Sequence, residues 1–151
     1  MIETLIALLL ITLMFYGLFA LERKVTARIL LDHAAARAAR AKAVGFNDFM
    51  CEKSARVAMI PVAGRRIWPE SLADAEELDR IPGYLAAEDE AAARGTLEYE
   101  YWPTTDVDVS SGSGLSAAAE ATVTLETDDW RMRGAAAVES HYPLYLYNQG
   151  F

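Results

Sequence analysis

A chain of 151 residues with 22 acidic against 14 basic side chains carries −8 at pH 7, a balance that argues against a nucleic-acid partner. Its single cysteine, Cys51, excludes an intramolecular disulfide, so a domain of this size stands on packing alone. The charge is uneven, with a net of +3 over residues 1–43 and −11 over the remainder.

The pattern predicts one unbroken helix over residues 1–43. It is apolar from Leu5 to Leu21 except for Thr12, Tyr16 and Gly17, and no proline precedes Pro61. At about 1.5 Å per residue such a helix reaches roughly 65 Å, beyond the diameter of a small domain. Much of it must therefore find partners outside its own fold. The apolar run lacks the basic start and small-residue cleavage site of a secretory signal, and it lies at the short end of the membrane-spanning range. Glu3 at its head has two readings. It is either a carboxylate capping the helix at a membrane surface, or one that pairs with the free N-terminal amine of a neighbouring subunit. Arg23, Lys24 and Arg28 follow the run where lipid headgroups would lie. Beyond them two small-residue faces emerge. Val25, Ile29, Ala36 and Ala43 fall within roughly 40° of one another, and Ala27, Leu30, Leu31, Ala34, Ala38 and Ala41 span about 100°. Two faces suit a helix that touches its own domain on one side and other subunits on the other. The plainer reading is an alanine helix with solvated arginines.

Gly45 is expected to end the helix in the left-handed conformation. Residues 47–60 read as a second helix, capped by Asn47 and stopped by Pro61, with Cys51 as an ordinary buried thiol. Residues 61–68 read as an irregular connection, and 69–80 and 83–94 as two short acidic helices that begin at Pro69 and after Pro82. After Gly95 the period becomes two. Leu97, Tyr99 and Tyr101 alternate with Glu98, Glu100 and Trp102, and Val107 and Val109 extend the strand past Pro103. The SSGSG stretch at 110–114 reads as a turn. The clearest strand follows at 117–126, and a third runs from Arg131 to Ser140 after a turn at Asp128–Asp129. The expectation is an α+β fold: a long hydrophobic N-terminal helix (1–45), then a globular domain (46–151) of short helices and a three-stranded antiparallel sheet. The tail after Ser140 is aromatic, and Tyr142, Tyr145, Tyr147 and Phe151 are candidates for core closure or for contact with a neighbouring subunit.

Chemistry has no visible home in the chain. There is no Gly-rich phosphate loop and no GxSxG elbow, and His33 and His141 lack the companions a zinc site requires. No enzyme activity, cofactor or metal is expected.

The words MIETLIALLLITLMFYGLF and AAARAARAKA, with their early glutamate, resemble a processed type IV pilin, closest to the TadE-like pilins and pseudopilins of the tight-adherence (Tad) system. The likeness covers residues 1–45. It departs from the family in placing the glutamate third, where those mature chains usually have it fifth. The resemblance implies a homo-oligomeric helical filament at the cell surface, reached from the inner membrane through a prepilin peptidase and a pilus assembly machinery. Glu3, Leu5, Leu9, Leu13, Gly17, Val25, Ile29 and Ala36 are the expected assembly residues. The positive-inside rule would put residues 46–151 in the cytoplasm, whereas the resemblance puts them outside. Two alternatives stand beside the major filament subunit: a minor pseudopilin that initiates or tips the pilus, and a membrane-anchored binding domain, periplasmic or cytoplasmic.

Overall fold

Helix α1 runs without interruption from Ile2 to Val44, 43 residues, in a computed structural model that describes residues 2–71, 74–111 and 118–139. Its two halves have opposite surroundings. From Ile2 to Leu21 every described side chain is exposed, while Ala27, Leu31, Ala34, Ala35, Ala38 and Ala39 are fully buried. The first half is apolar all round and so has no preferred inward face. The second half alternates small residues with Arg28, Arg37 and Arg40, which places alanines against the domain and leaves the guanidinium groups outside. Gly45, at φ 99°, ends the helix. Its N–H bonds to the Lys42 carbonyl and the Phe46 N–H bonds to the Ala41 carbonyl, the paired closure that a left-handed C-cap glycine makes.

The sheet under α1 consists of β3 (Thr105–Ser111), β4 (Ala118–Glu126) and β5 (Arg131–Glu139), antiparallel in the order β3-β4-β5. In register Val123 faces Val107 on one side and Gly134 on the other. One sheet face packs inward through Ala119, Ala121, Val123 and Leu125, while Asp106, Asp108, Glu120, Glu126, Arg131 and Arg133 are exposed. Helix α2 (Asp48–Ala58) completes this core with Cys51, Ala55 and the following Met59. Its cap is the expected one, Asn47 Oδ1 accepting from Met50 N at 2.8 Å.

A second core is built from Ala63, Tyr84, Ala93, Leu97, Tyr99 and Trp102, with the Trp102 ring tilted against both neighbours, 4.9 Å from Tyr84 and 4.8 Å from Tyr99 between ring centroids. Here the chain departs from the sequence reading. Residues 61–68 are not irregular throughout: a 3₁₀ turn at Ile60–Val62 leads into β1 (Arg66–Trp68), which pairs antiparallel with β2 (Glu98–Tyr99) as a separate two-stranded sheet. The strand foreseen across Pro103 is therefore two strands in two sheets. The helices foreseen on either side of Pro82 are instead α3 (Asp74–Ala86), which contains Pro82, and the five-residue α4 (Glu90–Arg94), capped by Asp89. Proline removes one hydrogen bond from α3. The helix continues because Ile81, Tyr84 and Leu85 on its last turns are packed into the second core. Lys53 of α2 secures the far end. Its side chain is fully buried, and Nζ donates to the carbonyls of Leu85 at 2.8 Å and Ala87 at 2.5 Å, the natural place for a cation at a helix C-terminus. Burial lowers its pKa. The predicted aromatic tail and residues 112–117 lie outside the described residues.

Candidate membrane and assembly site

An exposed apolar rod is costly in water, at about 25 cal/mol per Å² of apolar surface. Leu5 is 66% exposed, Leu9 64% and Leu13 65%, and nothing would meet a side chain at Gly17. Among the described residues this is one helix long and apolar enough to cross a membrane, and none of its most apolar stretch is buried within the chain. Thr12, a polar residue within the run, satisfies its hydroxyl inside the helix: Oγ1 donates back to the Leu8 carbonyl at 2.8 Å.

The predicted assembly residues do not share a face. Leu5, Leu9, Leu13 and Gly17 recur every four positions and drift around the axis by about 40° per step. Val25, Ile29 and Ala36 lie nearly opposite the buried Ala27, Leu31, Ala34 and Ala38, with the buried Ala35 and Ala39 between the two sets; Val25 and Ile29 are exposed and Ala36 is half-buried. So the two faces read between residues 23 and 43 are both present. One packs on the chain's own domain, and of the other Val25 and Ile29 are exposed while Ala36 and Ala43 are half-buried. Glu3 stands in the first turn, exposed, among exposed neighbours.

Where α1 leaves the domain, a groove of about 670 Å³ opens beneath it. The helix side carries Tyr16, Phe19, Ala20, Glu22, Arg23 and Lys24; the domain side carries Pro61, Val62, Gly64, Tyr101 and the β4–β5 turn from Thr127 to Trp130. The turn is closed by Thr127, whose N–H and hydroxyl both donate to the Trp130 carbonyl at 2.9 and 3.0 Å. That leaves Asp128 and Asp129 exposed at the tip. Gly64, at φ 81°, brings the backbone so near the Tyr101 ring that a Cβ there would lie 2.8 Å from it. Partial burial, with Glu100, Asp128 and Asp129 adding to it and Arg23 opposing, raises the Tyr101 pKa. The sequence reading missed this groove because its walls are some forty and a hundred residues apart; the visible signal was only that Tyr16 interrupts the apolar run and that two acids sit in one turn.

A second cavity, about 10 Å³ between Arg56, Tyr84 and Trp102, has room for no more than a water molecule and so is no substrate site. Cys51 is buried, and its thiol pKa is raised by that burial, which leaves it a poor nucleophile. No cluster of metal-ligating side chains occurs among the described residues. Comparisons with family models, curated proteins and solved structures gave no match.

Proposed function

We propose that the chain is a structural subunit of a type IV pilin-like filament of the Tad kind, held in the inner membrane by residues 5–21 before assembly and carried to the cell surface in the polymer. The observation that carries this reading is the continuity of α1: the exposed apolar half and the half that forms the domain's core are one helix, with no linker between them. A simple tether needs only a span and any flexible joint. A rigid rod anchored in its own domain fixes the angle of the apolar half, as packing of many copies around a common axis requires. In that bundle the open Val25–Ile29 face gains neighbours, and Glu3 gains a neighbouring chain's amine, which offsets the cost of a carboxylate in an apolar setting.

The test is Glu3→Ala in the producing cell. Membrane insertion, read by flotation, is expected to persist, and filaments in the sheared surface fraction are expected to vanish; normal filaments would remove Glu3 from assembly. The exposure of the apolar half equally favours a membrane-anchored domain, which would stay with membranes under shear. A minor, initiating subunit is separated from a major one by copy number in the sheared fraction.

A further inference from the structure

The groove beneath α1 sits at the boundary between the apolar run and the charged part of the helix, and it holds both signs of charge. Arg23 and Lys24, with Glu22 beside them, line the helix wall, a net of one positive charge, and Asp128 and Asp129 line the facing wall. Among the described residues no ion pair joins the two sets. The Thr127–Trp130 bonds hold the acidic turn in place. Tyr101 and Trp130 line the same wall as the acidic turn, and on the span side the groove continues as Tyr16, Phe19 and Ala20.

We propose that this groove binds the headgroup of a zwitterionic phospholipid, phosphate toward Arg23 and Lys24, ammonium toward Asp128 and Asp129, with the acyl chains leading away past Phe19 and Ala20. The inference rests on residues 5–21 lying in a bilayer, the part of the proposed function that the filament and anchor readings share. Charge complementarity selects the occupant. An anionic lipid such as phosphatidylglycerol carries its charge on the phosphate alone, so it would satisfy the two cations and leave the two carboxylates facing an uncharged headgroup without a cation. The apolar helix of a second copy would cover five charged side chains and offer a partner to none of them, at a cost of several kcal/mol. A primary ammonium offers three donors to two carboxylates, and the aromatic side chains of Tyr101 and Trp130 in the same lining suit a cation. Phosphatidylethanolamine therefore fits better than phosphatidylglycerol.

The experiment uses the full chain in vesicles of equal parts phosphatidylethanolamine and phosphatidylglycerol. Flotation reads insertion; native mass spectrometry after gentle release reads which lipid stays bound. The expected result is retained phosphatidylethanolamine at about fivefold over phosphatidylglycerol, equivalent to about 1 kcal/mol. Asp128→Asn with Asp129→Asn, both at exposed positions, should float as the wild type does and lose that preference. A floating wild type that retains both lipids equally, a double variant that keeps the preference, or a dimer found in place of bound lipid would each overturn the site. A chain that fails to float overturns the membrane reading itself, so the two failures are distinguishable.

Discussion

Gly134 of β5 and Leu31 of α1 meet backbone to backbone: a Cβ on Gly134 would stand 2.5 Å from the Leu31 carbonyl oxygen and 2.7 Å from the Asp32 nitrogen. Both obstacles are main chain, so no rotamer change relieves them. The same crossing is latched by Arg28, whose guanidinium donates to the Arg133 carbonyl and pairs with Asp32 at 3.3 Å. The long helix is thus seated on the sheet at a single point of closest approach, and the angle of its free half follows from that seat.

Gly134→Ala should destabilise the domain by about 1–3 kcal/mol or more through overpacking. Ala137→Val, on the exposed side of the same strand, should stay within about 0.5 kcal/mol. Denaturant midpoints of the full chain in detergent compare the two; equal midpoints would mean that the helix does not rest on β5 as described. Leu31→Ala should cost about 2–5 kcal/mol in the same assay.

Lys53→Met removes both donors from the Leu85 and Ala87 carbonyls and should cost about 1–3 kcal/mol. Lys53 also has a definite pH signature. Its folded pKa is lowered, so between that value and 10.5 the unfolded chain alone keeps the proton, and stability should rise with pH across that window. Below it, both states are protonated and the contribution is flat. Comparing unfolding free energies of wild type and variant from pH 8 to 11 isolates this rise.

Lys42 should behave in the opposite sense. Its hydrogen bond to Asp48, 2.7 Å, raises its pKa, so the contribution is full below 10.5 and is lost as pH climbs through the folded value. Asp48 is largely exposed, which limits the pair to at most about 1 kcal/mol. Lys42→Met should flatten the alkaline loss of stability by that small amount.

Cys51 should resist alkylation in the native chain and react readily once unfolded, because burial both blocks access and raises the thiol pKa. Iodoacetamide labelling followed by mass measurement, with and without denaturant, checks this. Prompt native labelling would mean that α2 opens easily from α1.

The periodicity of the chain was sufficient to specify much of this molecule. An uninterrupted apolar run with no proline can only be a long helix, Gly45 and Asn47 mark their caps by conformational and hydrogen-bonding preference, and strict alternation from Ala119 to Leu125 specifies an inward sheet face. These are local preferences, legible over a few residues. What depended on contacts between distant segments was decided only in three dimensions. Pro82 reads locally as a helix boundary, yet Tyr84 and Leu85 gain more by packing than α3 loses in one hydrogen bond. Residues 66–68 and 98–99 became strands only because each supplied the other's partner. The buried Lys53 and the glycine under Leu31 answer to backbone groups some thirty and a hundred residues away, and no local pattern announces such a neighbour. The groove is of the same kind: its charges were visible one by one, and their confrontation across the base of the helix is a product of how the helix sits on the sheet.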